Sequence, residues 1–249
     1  MSKRLATCFG VNYTGMPCEL LGCANDALLF NTILERNGYK TDLFTTNDAT
    51  TMNRILGALF DLAMSTWLDP TITNVWIYYA GHGTQTPDRD RDDADGLDEA
   101  IVPSDYRSAG VLRDDQRHRL LQCFNPKCVV SLFFDCCHSG SICDLSYAYA
   151  TNGDPMFNVT MKTGKKALRG KVRVLSACFD SQTASEAMFD RQTHGMATVA
   201  LDTIVKQTLN PTWLQVRQLF DKTIREVGAT NQNGVIASST LLSNDEVLF

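Results

Sequence analysis

Short apolar runs alternate along the chain with stretches whose apolar residues recur at helical spacing. The runs are rich in β-branched and aromatic residues and are too short for helices, which is typical of buried strands. Strands are predicted at Arg4–Asn12, Tyr39–Thr45, Val75–Ala80, Cys128–Phe134, Lys171–Ala177 and Val235–Leu242. Helices are predicted at Ala24–Glu35, Ala49–Leu68, Asp114–Cys123, Met196–Thr208 and Trp213–Val227. This alternation predicts an α/β fold, a mostly parallel sheet of about six strands with helices on both faces.

Two long stretches lack such patterns. Thr86–Tyr106 is strongly charged, so we expect a polar loop outside the core. Ile142–Lys171 shows little periodicity and ends in a cluster of lysine and arginine, so we expect an exposed connector.

Composition excludes several classes of protein. A net charge of −5 gives no overall basic field, which argues against nucleic acid as a partner. No apolar stretch approaches the roughly 20 residues that a membrane helix requires, and the amino terminus has no signal-peptide pattern. The nine cysteines are odd in number and several lie in apolar runs, which indicates a reducing, cytoplasmic setting. The scattered histidines and the lack of a CxxC pair argue against zinc.

Reactive side chains follow two of the predicted strands. His82 follows Val75–Ala80 between two glycines, and Cys137 follows Cys128–Phe134. Adjacent parallel strands would bring these residues to one edge of the sheet, where open α/β sheets bind ligands. A histidine beside a cysteine can deprotonate the thiol and later protonate a leaving group. We therefore expect Cys137 to be a nucleophile and His82 its acid and base, with the N–H groups of Gly83 and Cys137 forming an oxyanion hole.

Two less reactive interpretations remain. The cysteine and histidine could simply be buried structural residues, which is common for each type taken alone. Cys136 and Cys137 could instead form a redox pair, although adjacent cysteines form only strained disulfides.

Four ordered sequence blocks carry a family resemblance. They are YYAGHGTQ, DEAIVPSDY, FFDCCHSG and LSACFDSQTASEA. These blocks resemble the successive signatures of the metacaspases, in the caspase-like clan of cysteine peptidases. The family's cysteine block reads D-x-C-H-S-G, so Cys137 aligns with the nucleophile and Cys136 with a variable position. The caspase block Q-A-C-[RQG]-G does not match.

The resemblance implies a caspase-hemoglobinase-like fold for the whole chain. We expect a single peptidase domain over residues 1–249, with a large-subunit-like part at about 1–145, a connector at about 146–170 and a small-subunit-like part at about 171–249. The family also implies a monomer and protein or peptide substrates. The basic residues of the connector are then a predicted self-cleavage site.

The resemblance also implies a specificity for arginine or lysine at P1, the residue before the cleaved bond. Asp135 and Asp26 match carboxylates of the family's S1 pocket, and Cys23 matches a neighbouring pocket position. Two carboxylates suit a cationic side chain, and bidentate pairing would favour arginine. Ala80 departs from the family, where serine is common, so one pocket hydroxyl is missing. For Asp26 the alternative is a charge that stabilises a helix N-terminus.

Calcium is the cofactor that the resemblance implies. An EF-hand is excluded, because its register would place Arg91 and Val102 at the first and twelfth positions. The residues that match the ligands of calcium-dependent metacaspases are Asp98, Asp114, Asp115 and Asp144. The alternative is that these are solvated loop carboxylates.

The sequence thus predicts a calcium-activated cysteine endopeptidase that cleaves after arginine or lysine. The alternative is a catalytically silent scaffold or regulator with the same fold. Silent members of such families typically lose the cysteine or the histidine, and this chain retains both.

Overall fold

The computed structural model describes residues 2–87, 96–137, 145–150, 158–161, 168–177, 186–189, 192–229 and 232–249. Within these ranges, the strands of the main sheet are β1 (Lys3–Gly10), β2 (Lys40–Phe44), β3 (Ile72–Ala80), β7 (Val129–Asp135), β8 (Tyr147–Ala150), β9 (Asn158–Met161), β10 (Val172–Ser176) and β13 (Val235–Ser238). Two smaller sheets contain β4 (Gly83–Pro87), β5 (Leu97–Ile101) and β6 (Leu112–Arg113), and β11 (Glu186–Phe189) and β12 (Gln192–Gly195).

The helices of the described ranges are α1 (Cys23–Arg36), α2 (Met52–Leu68), α3 (Tyr106–Ala109), α4 (Asp114–Leu121), α5 (Met196–Gln207) and α6 (Trp213–Glu226), with a 3-10 turn at Asn47–Ala49. None of the helices in this part of the chain is long and apolar enough to cross a membrane.

The main sheet has the order β2-β1-β3-β7-β10-β13-β8-β9. The first five strands of this order pair in parallel, and β13 pairs antiparallel to β10. These six strands are the ones that the apolar runs predict, so the predicted α/β fold with a mostly parallel sheet is confirmed.

Helices cover both faces of the sheet because the central strands are buried on both sides. Along β3, Trp76 and Tyr78 pack into a core with α1, α5 and α6, whereas Ile77 and Tyr79 pack into a second core with α2. This alternation follows from the two-residue period of a strand. The prediction of helices on both faces is therefore confirmed.

Two expectations about the connecting stretches are wrong. The charged stretch Thr86–Tyr106 contains β5, in which Asp98 and Glu99 are buried. The strand was not predicted because the stretch is so strongly charged. It pairs with β4 on one edge and with β6 on the other. The stretch Ile142–Lys171 is likewise not a plain connector, because β8 and β9 form an antiparallel hairpin that extends the main sheet beyond β13.

Candidate active site

The register of the central strands places the candidate catalytic residues at equivalent points. Ala80, the last residue of β3, pairs with Asp135, the last residue of β7. His82 and Cys137 each follow two residues later, so both leave the sheet at the same edge. This is the carboxyl edge at which parallel α/β sheets bind ligands.

Close packing between the two strand ends accounts for the glycine after His82. A Cβ atom at Gly83 would lie 1.9 Å from the backbone oxygen of Cys137 and 3.2 Å from Sγ of Cys136. Only a residue without a side chain allows the backbones of the two segments to approach this closely. The structure therefore places the backbones of Gly83 and Cys137 in close contact.

The two adjacent cysteines occupy different environments. Cys136 is 1% exposed, whereas Cys137 is half-buried. Both residues lie in the bend that follows the last residue of β7. The more accessible thiol is the one predicted to be the nucleophile.

The imidazole of His82 is oriented by a backbone carbonyl. Its Nε2 atom lies 2.8 Å from the carbonyl oxygen of Cys18. A carbonyl oxygen can only accept a hydrogen bond, so Nε2 carries the hydrogen and Nδ1 is the basic nitrogen of the neutral ring. Sequence reasoning gave no role to Cys18, because a backbone contact leaves no side-chain signal.

Two buried tyrosines hold the backbone at His82. The hydroxyl of Tyr13 accepts a hydrogen bond from the N–H of His82 at 2.9 Å and donates to the carbonyl of Val102 at 2.6 Å. The hydroxyl of Tyr79 lies 3.0 Å from the carbonyl oxygen of His82. Burial raises the pKa of both tyrosines well above the ordinary range, so both stay protonated. The ring of Tyr13 also lies 4.8 Å from that of His82.

The residues predicted to form the S1 pocket converge at the same edge. Ala80 lies between Gly10 of β1 and Asp135 of β7 in register. A Cβ atom at Gly10 would lie 2.3 Å from the backbone oxygen of Cys23, so the first turn of α1 packs closely on the end of β1. Cys23 shares a core cluster with Ala80, and all of the predicted pocket residues are buried.

Both pocket carboxylates are hydrogen-bonded to the segment where β12 meets α5. Asp26 accepts from Nδ1 of His194 and from the backbone N–H of Gly195, each at 2.8 Å. Asp135 accepts from the backbone N–H of Thr198 at 3.1 Å and from its hydroxyl at 2.6 Å. The sequence does not predict any of the three residues that donate these four hydrogen bonds. Their distance from the carboxylates along the chain leaves no local signal.

Three of the four predicted calcium ligands form one cluster. The carboxylate oxygens of Asp98, Asp114 and Asp115 lie within 4.8 Å of one another, and the first two residues are fully buried. The pairing of β5 with β6 places Asp98 beside the start of α4. Asp144, the fourth, lies outside the described residues.

The donor set of this cluster suits calcium. Carboxylate oxygens are the ligands that calcium prefers, and burying several carboxylates together is costly without a neighbouring cation. Nη1 of Arg113 lies 3.8 Å from Asp98 and supplies part of the positive charge.

Comparisons with known proteins agree with this geometry. The family profile described as "Metacaspase, peptidase C14 domain" matches residues 4–146. The chain belongs to the metacaspase family. The Metacaspase-1 of Cryptococcus neoformans is 39% identical over 159 residues, covering 61% of this chain and 35% of that protein. The Metacaspase-1B of Aspergillus fumigatus is 29% identical over 263 residues, covering 86% of this chain and 64% of that protein.

The matched region spans about a third of the length of the first of these metacaspases. Solved structures share the fold at low identity. A Geobacter sulfurreducens protein aligns over 97% of this chain and 95% of its own, with a TM-score of 0.69 and 21% identity. Caspase-1 of Spodoptera frugiperda aligns over 99% and 90%, with a TM-score of 0.64 and 10% identity. These likenesses confirm the caspase-like fold of this metacaspase domain.

Proposed function

We propose that the chain is a calcium-activated cysteine endopeptidase that cleaves proteins or peptides after arginine or lysine. The observation that carries the proposal is the pairing of Ala80 with Asp135 at the two strand ends, each of which lies two residues before His82 or Cys137. Family membership supports a peptidase, and the two buried pocket carboxylates support a cationic P1 residue.

In the proposed acylation step, His82 removes the proton from the Cys137 thiol through Nδ1. The thiolate attacks the carbonyl carbon of the scissile peptide, and a tetrahedral oxyanion forms. Collapse of this intermediate expels the amine, which takes the proton from His82 and leaves a thioester on Cys137. In deacylation His82 activates a water molecule that attacks the thioester, which releases the acid and restores the thiol.

The oxyanion would accept hydrogen bonds from the N–H groups of Gly83 and Cys137. The contact between Gly83 and the backbone of Cys137 supports this role, because it keeps the two backbone segments adjacent. The Cys18 carbonyl supports the base role of His82 by keeping the hydrogen on Nε2.

The P1 side chain would enter between Asp26 and Asp135. Two buried carboxylates favour a cationic P1 side chain over a neutral or acidic one. Ala80 lies in register with Asp135 and has no hydroxyl, so its side chain offers no hydrogen bond to the P1 group.

Calcium would be held by Asp98, Asp114 and Asp115, together with Asp144. When bound, it would offset the repulsion between these carboxylates. Asp98 lies on β5, and β5 pairs with β4, which begins at Gly83. This small sheet therefore links the carboxylate cluster to the candidate oxyanion hole. Asp144 lies seven residues beyond Cys137, so the same ion would tie down the segment that follows the nucleophile.

Active-site labelling tests the nucleophile. A peptidyl-arginine acyloxymethyl ketone, an affinity label for cysteine peptidases, should modify Cys137 in the presence of calcium, as located by peptide mass spectrometry. Cys136 and the exposed Cys123 should stay unmodified. Labelling of Cys136 in place of Cys137, or of neither cysteine, would rule out the proposed mechanism.

A further inference from the structure

One five-residue segment contacts both candidate S1 carboxylates. We call His194–Thr198 the pocket clamp; it joins the end of β12 to the first turn of α5. Gly195 lies between the two carboxylates. Its N–H donates to Asp26, and a Cβ atom at this position would lie 2.5 Å from Oδ2 of Asp135.

On the Asp26 side, the clamp supplies one donor to each carboxylate oxygen. Nδ1 of His194 contacts Oδ1, and the N–H of Gly195 contacts Oδ2. Because a carboxylate only accepts, Nδ1 of His194 carries a hydrogen in this contact. Asp26 is 1% exposed, so these two bonds fix the plane of the carboxylate.

On the Asp135 side, the clamp uses the start of a helix. Gly195 is the N-cap of α5 and has no side chain that could bond to the free N–H groups of the first turn. Asp135, which lies on β7, caps the helix instead. Its carboxylate accepts a hydrogen bond from the N–H of Thr198, the third residue of α5. The partial positive charge of the helix N-terminus also favours an ionised carboxylate there.

The hydroxyl of Thr198 extends this contact into the core. It donates its one hydrogen to Asp135, so the hydroxyl of Tyr78, 2.6 Å away, must donate to Thr198. Burial, followed by the charges of Asp135 and Asp26, raises the pKa of Tyr78 well above its ordinary range. Tyr78 therefore keeps its hydrogen and donates it to Thr198, and Thr198 in turn donates to Asp135.

We propose that His194 and Thr198 are specificity-determining positioning residues that make this pocket prefer arginine over lysine at P1. The proposal rests on the proposed peptidase function and adds to it. A guanidinium is a planar fork that pairs best with carboxylates held at fixed orientations, whereas an ammonium is a compact point charge. Loosening the carboxylates should therefore weaken arginine binding more than lysine binding.

Thr198→Val tests this proposal, because valine keeps the shape of threonine and removes only the hydroxyl. With P1-arginine and P1-lysine fluorogenic peptides, we expect wild type to prefer arginine. In the variant, KM for the arginine peptide should rise roughly tenfold with kcat little changed, within the range that misplaced positioning groups cost. The arginine-to-lysine ratio of kcat/KM should fall toward one, and Thr198→Ser should restore it.

Thr203→Val is the matched control. Thr203 also lies on α5, and its hydroxyl donates to the carbonyl of Val199 within the same helix. This variant should keep wild-type kinetics. His194→Leu and His194→Asn form a second pair; leucine should lower the arginine preference, and asparagine, which retains a side-chain N–H donor, should restore most of it.

The possible results distinguish a failure of the clamp proposal from a failure of the proposed peptidase function. If wild type cleaves both peptides and all of the clamp variants keep its KM and arginine-to-lysine ratio, the clamp proposal is wrong and the peptidase function stands. If wild type with calcium cleaves neither peptide, the proposed function fails and the inference fails with it. If Thr198→Val does not fold, the His194 variants test the clamp proposal instead, and an unchanged arginine-to-lysine ratio in His194→Leu would overturn it.

Discussion

Nε2 of His82 lies 2.8 Å from the carbonyl oxygen of Cys18, and this contact fixes which ring nitrogen can act as a base. The acceptor is uncharged, so it orients the ring without adding a buried negative charge beside it. A carboxylate in the same place would instead stabilise the protonated ring. The contact thus leaves Nδ1 as the ring nitrogen that can take a proton from the Cys137 thiol.

The Tyr13 hydroxyl should be required for catalysis more than for substrate binding. Tyr13→Phe removes the acceptor of the part-buried His82 N–H and one donor to the buried Val102 carbonyl. We expect kcat to fall roughly tenfold or more with KM little changed, and a loss of about 1–3 kcal/mol in the free energy of unfolding. Steady-state kinetics and urea unfolding measure these two effects. A fully active Tyr13→Phe enzyme would show that the hydroxyl does not position His82.

Gly83 should tolerate no side chain. In Gly83→Ala the new Cβ atom would meet the backbone oxygen of Cys137, so one strand end must move. We expect kcat/KM to fall by roughly 100-fold, the cost of about a 1 Å displacement in a catalytic site.

Gly57→Ala is the control for this substitution. Gly57 is an exposed position inside α2, and no atom lies within 4 Å of its Cβ position. Alanine there should stabilise the fold by up to about 1 kcal/mol and leave kinetics unchanged. Equal activity of the two variants would argue against close packing of Gly83 on Cys137.

The sequence predicts most of the sheet and the pairing of strand ends. Apolar runs such as Cys128–Phe134 mark buried strands, and parallel pairing then places His82 and Cys137 at one edge. The pattern fails for β5, because Asp98 and Glu99 are polar residues buried inside a strand. Periodicity reports burial only where buried residues are apolar. A strand that buries carboxylates is therefore missed.

The sequence also fails to predict the clamp residues that donate hydrogen bonds to the pocket carboxylates. His194 lies 168 residues from Asp26, and Thr198 lies 63 residues from Asp135. Both are polar residues at a strand-to-helix junction, where histidine and threonine are common for many reasons. Their partners become evident only when α1, β7 and α5 are placed in space.

The buried Cys128 thiol should make stability fall at alkaline pH. Burial raises its pKa from 9.0 to about 12. Between these values the unfolded chain loses the thiol proton and the folded chain keeps it, so the free energy of unfolding decreases as pH rises, by at most about 1.4 kcal/mol per pH unit. Urea unfolding at pH 8 and pH 10.5 should show a smaller loss for Cys128→Ala than for wild type. An identical loss in both proteins would contradict this assignment.

The carboxylate cluster should respond oppositely to mutation with and without calcium. Asp98→Asn removes one charge from the cluster formed with Asp114 and Asp115. In EDTA the variant should melt at a higher temperature than wild type, because repulsion between buried carboxylates is relieved. Added calcium should raise the melting temperature of wild type more than that of the variant.

Asp42→Asn is the control for the loss of charge, because Asp42 is exposed on β2. It should keep the wild-type response to calcium. A wild-type melting temperature that does not change with calcium would mean that the cluster does not bind the ion.

The most direct test of the account is hydrolysis of a fluorogenic peptide with arginine at P1, measured with calcium and with EDTA, for wild type and Cys137→Ala. We predict turnover by wild type that requires calcium and is absent from Cys137→Ala. Turnover that survives in Cys137→Ala would contradict the assignment of the nucleophile. The absence of turnover by wild type in both conditions would contradict the peptidase function and favour a silent scaffold with the same fold.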